Sequence, residues 1–249
     1  MLSASQIAVH KSSPSPPLVV ATAYDFPFAR ILEEAGVDIV LVGDSLANVV
    51  LGLSSTREVG MEEMSVFVAA VVRGAPNTHV TADMPYGSDS SPELSLLNAR
   101  RFMDLGALSV KLEGTKLQVI QTLVQDGIPV MGHLGVLPQT ASSFRKVGQS
   151  MESRLQLLGD AMKLQESGVF SIVLENVDSE TVHEITASLS VPTIGIGSGN
   201  GTTGQVQVLH DLLGLSLNSP PFAKPFADLR STVLDAIRKY VNEVRGGGL

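Results

Sequence analysis

Five apolar runs of this 249-residue chain each end in an ionisable side chain. The runs close with Val42-Gly43-Asp44-Ser45, Ala82-Asp83-Met84-Pro85, Val110-Lys111-Leu112-Glu113-Gly114, Gly132-His133-Leu134-Gly135 and Leu174-Glu175-Asn176. Asp44, Asp83 and Glu113 would repel one another if brought together without a cation. An all-oxygen donor set suits a hard ion such as Mg2+. That ion could hold a 2-oxo acid and stabilise the negative charge formed when a proton leaves the carbon beside the carbonyl. Lys111 stands two residues before Glu113, so on a strand both side chains share a face. It could meet a substrate carboxylate, or merely neutralise Asp83 or Glu113. His133 could hydrogen-bond a developing oxyanion, or be a structural histidine. Glu175, one run further on, could act as general base or as a cap.

These side chains meet only if the runs are neighbouring parallel strands. Near-continuous apolar patterns predict strands over Leu18–Ala23, Ile39–Val42, His79–Ala82, Leu108–Leu112, Pro129–Gly132, Phe170–Leu174 and Pro192–Ile196, with a possible eighth at Val206–His210. Helical patterns fall between them: Pro27–Ala35, Met61–Arg73, Pro92–Leu105, Leu117–Asp126, Met151–Glu166 and Ser179–Ser188, with a last helix at Leu229–Val244. Strict alternation of this kind predicts a single α/β domain, a (β/α)8 TIM barrel over residues 18–245. An open doubly wound sheet is the alternative. In a barrel all the strand ends listed above open on one face, where active sites are built. Residues 1–17, rich in Ser and Pro, read as an untethered terminus, and 246–249 as a loose tail.

Composition removes other classes. The net charge of −8 argues against a partner built on a phosphate backbone. With no cysteine there is no thiol nucleophile, zinc ribbon or disulfide framework. No apolar run approaches the roughly 20 residues of a membrane span. The string Gly199-Asn200-Gly201-Thr202-Thr203-Gly204 has the form G-x-G-x-x-G but follows the seventh strand, with too little chain left for a dinucleotide domain. Charged residues make up 17% of the chain, against about 25% in an average soluble protein, so buried subunit interfaces and a homo-oligomer are expected. The expected compartment is the cytoplasm, or an organelle if the source is eukaryotic.

Several strings together resemble the ketopantoate hydroxymethyltransferase family. They are Thr22-Ala23-Tyr24-Asp25, Leu41-Val42-Gly43-Asp44-Ser45-Leu46, Asp83-Met84-Pro85-Tyr86-Gly87-Ser88, Val110-Lys111-Leu112-Glu113-Gly114, Gly132-His133-Leu134-Gly135, Pro138-Gln139, Ile194-Gly195-Ile196-Gly197 and His210-Asp211-Leu212-Leu213-Gly214. The resemblance implies a barrel of the phosphoenolpyruvate mutase/isocitrate lyase type. It implies Mg2+-dependent transfer of a one-carbon unit from 5,10-methylenetetrahydrofolate to 3-methyl-2-oxobutanoate, on the way to pantothenate, and a decameric assembly. By motif position, Asp44, Asp83 and Glu113 match the family's metal site. Asp44, Ser45, Asp83 and Lys111 match its oxo-acid contacts, and Glu175 its proton acceptor. Asp89 stands where the family usually has Tyr, Leu137 where it has Thr, and Thr203 where it has Asp; 144–150 is a shortened loop. These departures leave open a diverged carbon–carbon lyase or aldolase acting on another 2-oxo acid, or a non-catalytic metabolite-binding barrel. The absence of cysteine counts against the lyase, whose branch commonly uses a catalytic Cys.

Overall fold

The computed structural model describes residues 1–12 and 15–248. Its strands are β1 (Leu18–Thr22), β2 (Ile39–Val42), β3 (His79–Asp83), β4 (Ser109–Glu113), β5 (Val130–Gly135), β6 (Ser171–Glu175), β7 (Thr193–Ile196) and β8 (Gly204–Gln207). They form a closed parallel barrel in sequence order. The helices are α1 (Ala4–Ala8), α2 (Phe26–Glu34), α3 (Leu46–Val49), α4 (Met61–Gly74), α5 (Pro92–Asp104), α6 (Leu117–Gln125), α7 (Met151–Glu166), α8 (Ser179–Ser188), α9 (Leu209–Leu212) and α10 (Leu229–Arg245). Among the described residues no helix is long and apolar enough to cross a membrane.

Side-chain caps mark where several helices begin. Asp25, Ser91, Ser150 and Asp178 each accept a backbone N–H from the first turn of α2, α5, α7 and α8. Short loops between strand and helix then leave every strand parallel to its neighbour. Register carries the site: Asp83 lies beside Lys111, Glu113 beside His133, and Gly135 beside Glu175.

Two details differ from the pattern in the sequence. The eighth strand is Gly204–Gln207, ahead of the expected Val206–His210, and Leu209–Leu212 is helical. Gly204 permits this early start, because a Cβ there would lie 2.5 Å from the Leu18 carbonyl oxygen. The second difference is the N-terminus. Of the segment 1–17 expected to be untethered, Ser13 and Pro14 lie outside the described residues, and Ala4–Ala8 is helix α1. A capping box starts that helix: Gln6 N donates to Ser3 Oγ at 3.2 Å and Ser3 N to Gln6 Oε1 at 2.8 Å. Ile7 is wholly buried in a cluster with Leu18, Val20, Ile39, Met131 and Ile194, at the N-terminal end of the barrel. His79 ties the segment down. Burial holds its imidazole below its usual pKa, and Nδ1 lies 3.0 Å from the Leu2 carbonyl oxygen while Nε2 meets Ser109 Oγ at 2.9 Å. Lys11 Nζ donates to the Thr186 and Leu189 carbonyls at the end of α8.

Truncating a buried aliphatic side chain removes transfer free energy and leaves a cavity. Ile7→Ala is therefore expected to cost about 2–5 kcal/mol, read as a lower urea midpoint at unchanged slope. A change below about 0.5 kcal/mol, the range of surface substitutions, would remove α1 from the core.

The chain divides into two compact units, Met1–Val206 and Gln207–Leu249, where one domain over 18–245 is expected. The first unit contains the whole site described below. Within the second, Gln207 Nε2 donates to the Lys224 carbonyl at 2.9 Å and Asp228 caps α10. Of the expected tail 246–249, Leu249 lies outside the described residues, and Gly246 N donates to Asn242 O at 2.9 Å to finish α10.

Candidate active site

The C-terminal ends of β2 to β6 bring Asp44, Asp83, Lys111, Glu113, His133 and Glu175 together. All but Glu175 are buried; the Glu175 side chain is 17% exposed. The central contact is Lys111 Nζ to Asp83 Oδ1 at 3.0 Å, between side chains that register already placed side by side. The other Asp83 oxygen, Oδ2, accepts the Asp44 backbone N–H at 3.1 Å. Lys111 also reaches His133 Nδ1 at 3.4 Å. A charged ammonium has only hydrogens to offer, so Nδ1 is the acceptor and the ring proton sits on Nε2. That nitrogen lies 3.3 Å from Glu175 Oε2, off the alignment of a hydrogen bond. Burial first, and the Lys111 charge second, hold His133 below its usual pKa, so it is neutral.

Glu175 is aimed by its backbone. Gly135 has φ of 101°, and a Cβ there would fall 2.2 Å from the Glu175 carbonyl oxygen. Only glycine allows β5 and β6 to approach so closely at that point. Asn176, next in the chain, has a positive φ of 50°, a conformation Asn tolerates. Its Nδ2 donates to the Phe144 carbonyl at 2.8 Å.

The carboxylates carry more negative charge than Lys111 balances. Burial, then the Asp83 charge, pushes Asp44 up to about 7. Burial, with Asp44 and Asp83 adding to it, pushes Glu113 up to about 8 despite Lys111. Burial works against the Lys111 charge, but Asp83, Asp44 and Glu113 outweigh it and raise its pKa above the ordinary lysine value. Lys111 thus makes the contact with Asp83 that was the alternative reading of it, which leaves its hydrogens to be shared with any substrate carboxylate. Ser45, at the start of α3, has its Oγ 2.8 Å from the Tyr24 hydroxyl, and burial raises the Tyr24 pKa well above normal.

Gln139 enters the sequence reading only within the Pro138-Gln139 string, with no role assigned to it. Its Nε2 donates to Asp44 Oδ2 at 2.7 Å and to the Met84 carbonyl at 3.0 Å. Its backbone N–H donates to Glu113 Oε2 at 3.1 Å, and its carbonyl accepts from Arg57 Nε. The signal was a polar residue after Pro138 in the connection that follows β5, which by itself looks like any loop residue.

These donors explain a second finding. Among the described residues no three His, Asp or Glu side chains are grouped to chelate one ion. Gln139 holds an oxygen of Asp44 and of Glu113, while Lys111 and the Asp44 N–H hold Asp83. The residues still fit a hard divalent cation. Mg2+ is commonly bound by one or two carboxylates, with water and substrate oxygens completing the shell. The raised Asp44 and Glu113 values mark excess buried negative charge that such an ion would relieve.

A pH dependence follows. A carboxylate whose pKa is higher folded than unfolded favours folding at low pH, and that contribution is lost as pH rises through the folded pKa. Without divalent cation, the melting temperature should therefore fall between about pH 4, the unfolded carboxylate value, and the values near 7 and 8 of Asp44 and Glu113. Asp44→Asn should flatten that fall, and Mg2+ should raise the melting temperature more at pH 8 than at pH 5. Equal Mg2+ shifts at both pH values would contradict the excess-charge account.

Comparison with known proteins now bears on the chain. Solved structures of a 2,3-dimethylmalate lyase, a member of the PEP mutase/isocitrate lyase superfamily, and of oxaloacetate acetylhydrolase superpose with TM-scores of 0.63 and 0.65. The lyase match covers 100% of this chain and 89% of that one at 15% identity; the hydrolase match covers 99% and 88% at 16%. At that identity the likeness concerns the fold alone. In sequence, the chain is 48% identical over 236 residues to a 3-methyl-2-oxobutanoate hydroxymethyltransferase of Ignicoccus hospitalis, covering 92% of this chain and 90% of the relative. It is 50% identical over 237 residues to the protein of that name from Thermotoga neapolitana, covering 92% and 88%. The family profile described as ketopantoate hydroxymethyltransferase matches residues 3–248. A match over nearly the whole length leaves no segment of the barrel to another lineage, and the chain belongs to the ketopantoate hydroxymethyltransferase family.

Proposed function

We propose that the protein transfers a hydroxymethyl group from 5,10-methylenetetrahydrofolate to 3-methyl-2-oxobutanoate, giving 2-dehydropantoate for pantothenate synthesis. The observation that carries this reading is the convergence of Asp44, Asp83, Lys111, Glu113, His133 and Glu175 at the ends of β2 to β6, in a chain of this family. Asp44, Asp83 and Glu113 are the residues that would hold Mg2+. Bound there, the ion supplies a positive charge against which the oxo-acid oxygens and the charge developing on them are stabilised.

The chain's own residues do the rest. Lys111 offers ammonium hydrogens to the substrate carboxylate, and Ser45 Oγ with Asp44 and Asp83 fixes the orientation of the oxo acid. Glu175, partly exposed at the mouth, takes the proton from C3. The neutral His133 presents Nε2–H beside Glu175 and steadies the carboxylate and the substrate oxygen. The C3 carbon then bonds to the one-carbon unit, whose two bonds to folate nitrogen break. Water supplies the hydroxyl group, and the C3 proton and one water proton end on the two nitrogens. Exposed apolar side chains of α10, including Ile237 and Tyr240, support assembly as a homo-oligomer.

Exchange of the C3 proton into deuterated water, followed by NMR, tests the base. Glu175→Gln should slow exchange about a hundredfold or more, since an amide does not accept that proton near neutral pH. Exchange at the parent rate would move the role to His133.

A further inference from the structure

The guanidinium groups of Arg100, Arg101 and Arg154 each meet a carboxylate: Asp126, Glu62 and Glu180. Arg57 is placed differently. Among the described residues no carboxylate lies within ion-pair distance of it. Its Nε donates instead to the Gln139 carbonyl, and the guanidinium stands 5.4 Å from the centroid of the Tyr86 ring. The turn that carries it is fixed locally. Thr56–Glu58 is a short 3-10 helix between α3 and α4, and Ser54 N, Ser54 Oγ and Ser55 N donate to Glu58 Oε1 at 3.0, 2.8 and 2.9 Å.

Gln139 is 3% exposed and sits in a turn of its own, where Thr140 N and Ala141 N donate to the Leu137 carbonyl. Arg57 grips the carbonyl of residue 139, and the other two polar groups of that residue reach into the site. The side-chain amide holds Asp44 Oδ2, and the backbone N–H holds Glu113 Oε2. No described hydrogen bond reaches Asp44 Oδ1 or Glu113 Oε1. A carboxylate held at one oxygen has the direction of the other fixed, which is how outer residues orient the groups that bind a metal. A carboxylate left free to rotate loses that freedom only when the ion binds, and affinity falls accordingly.

We propose that Arg57 is a positioning residue for the cation site. Through Gln139 it holds Asp44 and Glu113 with Oδ1 and Oε1 free to meet a divalent cation, and it sets the affinity for that ion without touching it. The inference rests on the reading of Asp44 and Glu113 as cation-binding residues. Arg57 thereby ties together the connections after β2, β3 and β5, which are three separate loops in the sequence.

The test titrates Mg2+ into the full-length protein by calorimetry and follows C3 proton exchange of 3-methyl-2-oxobutanoate against Mg2+ concentration. Arg57→Met keeps the apolar stem and removes the donor. It should weaken Mg2+ binding about tenfold, the lower end of the range for residues that orient metal ligands. The Mg2+ concentration for half-maximal exchange should rise by the same factor, while the rate at saturating Mg2+ stays within threefold of the parent. Because Arg57 is exposed, the melting temperature without Mg2+ should hardly move. Arg57→Lys returns a donor and should recover most of the affinity. Gln139→Met removes the amide itself and should weaken binding further; if it fails to fold, the Arg57 variants decide. Parent-like Mg2+ affinity in Arg57→Met would overturn the inference and leave the cation site standing, as would a lower saturated rate at unchanged affinity. Absence of recovery in Arg57→Lys would show that the carbonyl contact does not carry the effect, and would sink the proposal. A parent that binds no Mg2+ would remove the cation reading and this inference with it.

Discussion

Asp83→Asn is expected to lower Mg2+-dependent C3 proton exchange about 1000-fold, the equivalent of roughly 4 kcal/mol of transition-state stabilisation. Asp83 lies at the centre of the site, between the Lys111 ammonium and the Asp44 backbone N–H. Asparagine keeps its shape and an acceptor for Lys111, so the fold should survive. The charge that would hold a divalent cation is gone, and negative charge developing on the substrate oxygen loses its counterpart. Two measurements separate this from damage to the fold: Mg2+ affinity by calorimetry should fall, and the melting temperature without Mg2+ should stay near that of the parent. Exchange within tenfold of the parent would mean that the metal site lies elsewhere.

Lys111→Met carries the second large effect, and here stability and binding move together. Lys111 is buried, with Asp83, Asp44 and Glu113 as the anions that keep it charged. Removing it leaves those carboxylates without a cation, and breaking a buried pair costs about 3–5 kcal/mol. In a chain of this size that lowers the melting temperature by on the order of 10 °C. The loss should grow with pH. Asp44 and Glu113 can take up protons in acid, and their raised folded pKa values withdraw stability as pH rises. Mg2+ should recover part of it. Oxo-acid affinity should fall tenfold or more, the scale of one lost hydrogen bond to a charged group. Unchanged oxo-acid affinity would confine Lys111 to pairing with Asp83.

The two variants rest on different kinds of information. Asp83 and Lys111 are legible in the sequence, because each interrupts an apolar run at its end, where a barrel collects polar residues. Their 3.0 Å contact is not legible: it depends on β3 and β4 pairing with Asp83 opposite Lys111. A register one residue away would turn one of them to the outside.

The division runs through the whole molecule. The strand and helix pattern and the polar strand ends are local signals, written in periods of two and 3.6 residues. They determine the alternating α/β class and which strand ends carry chemistry; closure into a barrel is seen in the structure. Tertiary structure alone decided three things. Ile7 is core, although its short Ser- and Pro-flanked segment has no periodicity to announce it. Gln139 binds Asp44 and Glu113 together from a loop, where an amide gives no sign of its partners. Asp89 and Lys116 close on each other from two connections separated by helix α5 and strand β4. In each case the determining contacts join residues far apart in the chain, and closure of the barrel, not any local preference, brings them within reach.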